Sequence, residues 1–413
     1  MFWESLTHDE VKKEVMKALA QNLDYKKDPI LGIPGTFLDQ EEFYDDAPFL
    51  NEAPFLSVFI ANPNHIGCHT LVDSEDIFRG TQQIEKDLIK LCAEQIFNGK
   101  ENEQDGYVAS GGTEANIQAM WVFRNFYKKT KGAKNRDIAL VYSEDSHYSM
   151  PKGANLLGLT SIVLPVDKST REIDIPAMKK KLNRAKEAGK KHFIVILNMS
   201  TTMFGSVDDI DGITAILDEM EIDYKVHIDG AFGGFIYPFT NKENKMHFGN
   251  PKVSSITIDG HKMLQAPYGT GIFLIRKGLM EYTKTEEAGY VQGKDYTICG
   301  SRSGANAVAV WMILRNHGSD GWRIKMVKLQ HLTTRICNRL DEMGIRYFRN
   351  PSLNIIAINA ADIPEEVAKK YHLVSNNFEG KPEWWKIVVM AHVKRGTVDA
   401  FLGDLKHTLL IKR

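Results

Sequence analysis

The chain has 413 residues, 43% hydrophobic and 25% charged, with a formal net charge of -1, ordinary values for a globular protein of two or three domains, or of one large domain with a smaller one attached. The near-neutral balance excludes a global electrostatic case for nucleic acid or an anionic membrane surface, and no apolar stretch approaches the about 18 residues of a membrane span. Cys68, Cys92, Cys299 and Cys337 form neither a CxxC pair nor a zinc-type cluster with histidine, so no metal site is expected and reduced thiols in a cytoplasm fit best.

The opening MFWESLTHDEVKKEVM lacks a basic stretch followed by an apolar run, so it reads as a capped amphipathic helix and not as a signal peptide. Residues 1–60 also carry paired aromatics and prolines (Phe43, Tyr44, Pro48, Phe49, Pro54, Phe55) with little periodicity. Such a segment seldom folds alone and is expected to pack on another surface, such as a second subunit.

Ser110-Gly111-Gly112-Thr113-Glu114-Ala115-Asn116 then opens a helical pattern over 113–129. Glycines and a threonine at a helix start expose backbone N–H groups and a hydroxyl, and the helix dipole favours an anion there, so the segment suits a phosphate. It is neither GxxxxGK[ST] nor GxGxxG, which weakens a nucleotide fold. An ordinary glycine-rich N-cap has the same composition, so the segment alone leaves both readings open.

An apolar run at 138–142 predicts a strand, and Glu144-Asp145-Ser146-His147-Tyr148-Ser149 follows it. His147 at a strand's C-terminal edge suits stacking on a cofactor ring, or is a lone surface histidine. Further strands are expected at 162–166, 193–197, 226–228, 255–258 and 272–275, with a helix over 175–188. The lysines of that helix (Lys179, Lys180, Lys181, Lys186) alternate with Leu182 and Ala185 at helical spacing and read as a solvated face. Strands alternating with amphipathic segments imply a mostly parallel sheet covered by helices, and the short link between the last two strands an antiparallel hairpin.

Two strand ends carry chemistry. In Val226-His227-Ile228-Asp229-Gly230-Ala231 an acid ends a strand at the usual ligand edge of an α/β sheet. A carboxylate buried there needs a cationic partner, such as a protonated pyridine nitrogen; a loop Asp bonded to backbone is the plainer alternative. In Asp259-Gly260-His261-Lys262-Met263 a lysine beside a histidine and the apolar Met263 and Leu264 is placed for a lowered pKa and imine formation, although a lone lysine is usually solvated. Beyond Gly300-Ser301-Arg302-Ser303-Gly304 the pattern changes to a long helix over 305–343, runs at 355–358 and 387–390, and a strand then a helix within 382–405. The expected division is an N-terminal segment (1–60), a large domain (61–330) and a small C-terminal α/β domain (331–413).

Together, SGGTEAN, HIDGAFGGF, the DGHKM lysine segment and GSRSG resemble the group II pyridoxal 5′-phosphate (PLP)-dependent decarboxylases, most of all the archaeal-type tyrosine/aspartate decarboxylases, over about residues 80–405. The resemblance implies an aspartate aminotransferase-like α/β architecture (PLP fold-type I) and a homodimer with shared active sites. It implies that Lys262 carries PLP as a Schiff base, that Asp229 partners the pyridine nitrogen and that His147 stacks on the ring. Gly111, Gly112 and Thr113 would hold the phosphate. Thr201, Thr202 and the small Ala231 would lie near the ring, Asp259 and His261 beside the lysine, and Gly300 and Ser301 would reach the neighbouring subunit's cofactor. A tyrosine on the loop before GSRSG, Tyr290 first and Tyr296 second, would return a proton to the substrate. Ser200 departs from the glycine that many relatives carry before the threonine pair.

The implied activity is α-decarboxylation of an L-amino acid, with tyrosine or an acidic amino acid favoured. Gly289-Tyr290-Val291-Gln292-Gly293 and Ala266-Pro267-Tyr268-Gly269-Thr270 also resemble carbon–carbon lyases of the sphingosine-phosphate lyase type, but no added basic cluster supplies the second phosphate site such a lyase needs. A non-catalytic PLP-binding protein is the reading from another class; Lys262, Asp229, His147 and the phosphate segment occurring together speak against it.

Overall fold

A computed structural model describes residues 2–22, 76–285, 294–377 and 379–411. The aromatic stretch of the N-terminal segment, Cys68 and Tyr290 lie outside the described residues. In chain order the main elements are α1 (His8–Leu19), α2 (Arg79–Lys90), β1 (Gln104–Ala109), α3 (Gly112–Lys131), β2 (Ile138–Ser143), α4 (Ser149–Leu157), β3 (Thr160–Leu164), α5 (Ile175–Glu187), β4 (His192–Asn198), α6 (Ile210–Glu219), β5 (Asp223–Asp229), β6 (Val253–Asp259), β7 (Gly271–Arg276), α7 (Gly304–Glu342), β8 (Tyr347–Phe348), β9 (Ile355–Asn359), β10 (Val374–Ser375), β11 (Trp384–Val388) and α8 (Arg395–Ile411). The chain divides into two compact units, Met1–Ala133 with His247–Asp320, and Lys134–Met246 with Gly321–Arg413. The first unit carries the strands β1-β7-β6, and the second carries β5-β4-β2-β3 and a separate four-stranded sheet.

In the first unit, α1 begins where Thr7 and Glu10 cap each other reciprocally. Ahead of it Trp3 is buried, its indole N–H donating to the Leu314 carbonyl at 2.9 Å. The strands run β1-β7-β6, antiparallel throughout, so the expected hairpin of β6 and β7 is present. Neither α2 nor β1 was evident in the sequence. The face that α2 buries mixes Ile84, Leu88 and Ile89 with Gly80, Thr81, Gln82 and Glu85, whose small and polar side chains mask its helical period, and β1 opens on Gln104, Asp105 and Gly106 and so lacks an alternating apolar pattern. The expected helix over 305–343 breaks at Gly318, where φ is 62° and ψ 173°. A Cβ at Gly318 would lie 2.8 Å from the Ser5 amide nitrogen, and Leu6 and Ser319 bond across to Arg315 and Trp3, so the N-terminal segment seats in the break.

In the second unit β5-β4-β2-β3 are parallel. All of β2 and nearly all of β4 are buried, the continuous apolar run of a strand covered on both faces. The edge strand β3 ends at Leu164, two residues before the expected end, because Pro165 has no N–H to extend the ladder; Val166 instead bridges Ile173. α5 buries Met178 and Leu182 and turns its lysines outward, where Lys179 pairs with Glu219. The second sheet, β10-β11-β9-β8, is antiparallel. It shares a core with the helices through Ile336, Leu340, Ile358, Trp385, Phe401 and Leu405. The run expected at 387–390 starts earlier, at Trp384, because β11 pairs with β9 from Trp384–Asn359 to Val388–Ile355.

Candidate active site

In the first unit the ladder places Ala109 opposite Gly271 and Gly271 opposite Asp259. The two turns that leave these strand ends, Ser110-Gly111-Gly112 and Gly260-His261-Lys262, therefore emerge side by side. Gly271 makes this approach possible: a Cβ there would fall 2.4 Å from the Gly111 carbonyl carbon. A Cβ at Gly111 would sit 3.7 Å from His261 Cε1, so the imidazole lies over the glycine turn. Gly112 and Thr113 open the 20-residue helix α3, whose first turn has no side-chain cap. Its leading N–H groups have no partner within the helix, an arrangement that suits an anion.

Lys262 Nζ lies 3.0 Å from Asp259 Oδ2. The sequence placed this lysine beside apolar Met263 and Leu264. Those two are buried, but the Lys262 side chain is one-third exposed and its ammonium meets the carboxylate three residues back. His261 Nε2 is 3.6 Å from the same oxygen, its ring is tilted on the exposed Tyr268 at 5.3 Å, and burial lowers its pKa. Glu114 braces the glycine turn: its carboxylate accepts from the Ser110 amide at 2.8 Å and from the Tyr107 hydroxyl at 3.0 Å. Gly300 and Ser301 are held by their neighbour Arg302, which is buried and ion-paired to Glu85, while Glu85 also accepts from the Val108 amide at 2.7 Å. Tyr296 is buried, with its hydroxyl donating to Glu281 at 2.8 Å. Burial and Glu281 push its pKa up, so the phenol is held as a bound donor within the unit.

In the second unit the parallel register aligns Ser143 with Leu164 and Asn198 with Asp229. The segments carrying His147, Thr201 and Asp229 thus leave the same edge of the sheet, the C-terminal one at which open α/β sheets take ligands. Asp229 is buried and accepts from the Ala231 amide at 3.1 Å. The Ser149 amide donates to His147 Nδ1 at 3.2 Å. A neutral imidazole that accepts at Nδ1 carries its proton on Nε2, so Ser149, given no role by the sequence, selects the tautomer. Tyr148 packs on the ring at 4.0 Å. Thr201 is buried with its hydroxyl 2.7 Å from that of Ser206, which ties it into its own turn, while Thr202 is exposed and its carbonyl accepts from Lys386. Beneath these turns Asn198 Nδ2 donates to Ser146 Oγ at 3.0 Å and to Asp208 at 2.8 Å. Burial pushes the Asp208 carboxyl up to about 6.

Residues 83–348 match the family model described as the pyridoxal-dependent decarboxylase conserved domain. The chain belongs to the pyridoxal-dependent decarboxylases. It is 49% identical over 405 residues to a tryptophan decarboxylase of Clostridium sporogenes, covering 98% of this chain and 97% of that one. It is 31% identical over 339 residues to a probable L-tyrosine/L-aspartate decarboxylase of Methanothermobacter thermautotrophicus, covering 80% and 88%. Among solved structures, an L-methionine decarboxylase of Streptomyces superposes with a TM-score of 0.69 at 19% identity, over 97% of this chain and 94% of that one. A sphingosine-1-phosphate lyase of Burkholderia pseudomallei superposes with 0.71 at 18%, over 99% and 92%. At such identities these two carry the fold alone, PLP fold-type I.

This decarboxylase is accordingly a PLP-dependent carboxy-lyase acting on an amino acid. The residues in place fit the cofactor. Gly111 and Gly112 bring bare backbone and uncapped N–H groups to a helix start, as a phosphate needs, and Lys262 on the adjacent turn offers an amine. Asp229 offers a buried carboxylate at a strand end.

Proposed function

We infer that this decarboxylase removes the α-carboxylate of an aromatic L-amino acid, with L-tryptophan first among them. The observation that carries this reading is the 49% identity over nearly the whole chain to the Clostridium tryptophan decarboxylase, against 31% to the tyrosine/aspartate type. The sequence motifs favoured tyrosine or an acidic substrate; they belong to the cofactor, which all these enzymes share, and so say little about the side chain.

PLP, when bound, supplies an electron sink for the pair left behind as carbon dioxide departs. In this reading Lys262 holds the cofactor through its ε-amine, and Asp259 anchors that amine at 3.0 Å. Gly111, Gly112 and Thr113 bind the phosphate, and Asp229 keeps the pyridine nitrogen protonated. His147, with its proton on Nε2, covers the ring, and Tyr290 returns a proton to the substrate carbon. A homodimer in the cytoplasm, with Gly300 and Ser301 serving the partner's cofactor, completes the proposal; sedimentation should give two chains per particle, and a fully active monomer overturns it.

The test is to incubate PLP-loaded enzyme with pooled L-amino acids and identify the amines by mass spectrometry. Tryptamine is expected as the main product; an acidic amino acid consumed in preference overturns the aromatic reading. Borohydride reduction should fix PLP on Lys262, and Lys262→Ala should abolish that attachment. Attachment at another lysine in the variant overturns the assignment.

A further inference from the structure

In the second unit, the loop after β2 and the turn after β4 meet at one side chain, Arg171. Its guanidinium donates from Nε to Asp145 Oδ2 at 2.9 Å and from Nη2 to the other carboxylate oxygen. The two side chains are only 9% and 10% exposed. The same guanidinium stacks on Phe204, with Cζ 3.7 Å from the ring centroid. Phe204 is held edge-on by Trp384 at 5.5 Å and Phe348 at 6.1 Å. Asp145 lies two residues before His147, and Phe204 two residues after Thr202.

Arg171 reaches this position at a cost. Its φ is +58°, in the left-handed region that a side chain disfavours. A tight turn holds it there, with Asp167 accepting from the amides of Ser169 and Thr170 at 2.8 Å each. A buried ion pair is seldom more stabilising than an apolar pair of equal size, so its use here points to geometry and not to stability. Burial pushes the Asp145 carboxyl up while Arg171 pulls it back down, so the paired, charged form depends on the guanidinium. Ser146, between Asp145 and His147, is tied to Asn198. The segment leading into His147 is thus anchored at two successive residues.

We propose that Arg171 is a positioning residue for the decarboxylation: it clamps the His147 loop through Asp145 and the Thr201–Thr202 turn through Phe204, and so sets the plane of the His147 ring. The clamp rests on the reading that these two segments face the cofactor. Lysine cannot replace the arginine, because an ammonium lacks both the forked donor and the flat stacking face.

Two variants of the holoenzyme test this. Arg171→Lys keeps a cation beside Asp145, and Phe204→Leu keeps the ion pair but removes the stacked ring; the second carries the test where the first folds poorly. Both should load PLP at wild-type stoichiometry. Amide hydrogen exchange over 145–148 and 200–206 should be about tenfold faster. The visible circular dichroism per bound cofactor should change, and kcat should fall about tenfold or more with KM within about threefold. Unchanged exchange in both segments overturns the clamp. Faster exchange with unchanged dichroism and kcat overturns it as well, and His147→Ala then separates the causes. If His147→Ala shifts the dichroism, the placement of His147 on the cofactor stands and only the clamp fails; if it does not, that placement fails first.

Discussion

Ser200 has a φ of +89° and is buried, and its hydroxyl has no hydrogen-bond partner among the described residues. A non-glycine residue in this region carries about 1–3 kcal/mol of strain, and an unsatisfied hydroxyl adds to it, while glycine would cost about 0.5–1 kcal/mol in chain entropy. Ser200→Gly should therefore stabilise the protein by about 1 kcal/mol in denaturant unfolding. A loss of stability instead would show that the hydroxyl is bonded by a group outside the described residues. The sequence marks Ser200 as a departure from its relatives, but only the backbone angle shows why it matters. Placement was legible where an apolar run ends, as for His147, Asp229 and Lys262 at or just after the ends of β2, β5 and β6. It was not legible where the role comes from a partner. Ser149 selects the His147 tautomer, and Arg171 meets Asp145 from 26 residues away.

At the scale of elements, the antiparallel pairing of β1, β7 and β6 is what sets the glycine turn beside the lysine turn. The hairpin was legible from two apolar runs and a short link. The strand β1 was not, because its leading residues are polar and its order in the sheet depends on pairing with a strand more than a hundred and fifty residues away, as Gly106 opposite Leu274 shows. Gly271 is the point at which this arrangement brings the two turns together. Gly271→Ala would place a methyl 2.4–2.7 Å from the Gly111 backbone, with no flexible side chain to give way. The turn must shift, and the N–H groups of Gly112 and Thr113 shift with it. Far-UV dichroism should stay near wild type while the dissociation constant for PLP, measured by equilibrium dialysis, rises about tenfold or more, the equivalent of about 1.4 kcal/mol. Unchanged PLP affinity would mean that the Gly111 turn does not hold the phosphate.

For the molecule as a whole, two buried groups of the second unit give its stability opposite dependences on pH. The Asp208 carboxyl rises from an ordinary 3.8 to about 6 because burial outweighs the bonds from Asn198. The His227 imidazole falls from 6.5 to about 3 because it is wholly buried. The folded state holds the Asp208 proton more tightly than the unfolded chain does, so its contribution is complete below 3.8 and is lost as pH rises toward about 6. The unfolded chain holds the His227 proton more tightly than the folded state does, so its contribution is complete above 6.5 and is lost as pH falls toward about 3. Each group changes stability by about 1.4 kcal/mol per pH unit within its window, and from about pH 4 to 6 the two slopes nearly cancel. Single variants expose them. Relative to wild type, Asp208→Asn should gain about 2–3 kcal/mol as pH rises from 4 to 6, and His227→Gln should gain a similar amount as pH falls over the same interval. Urea unfolding of the three proteins at several pH values measures both differences. Parallel curves for wild type and Asp208→Asn would mean that Asp208 stays ionised on the two Asn198 bonds and that burial does not dominate there; parallel curves for His227→Gln would mean that a neighbour supports the imidazolium inside β5.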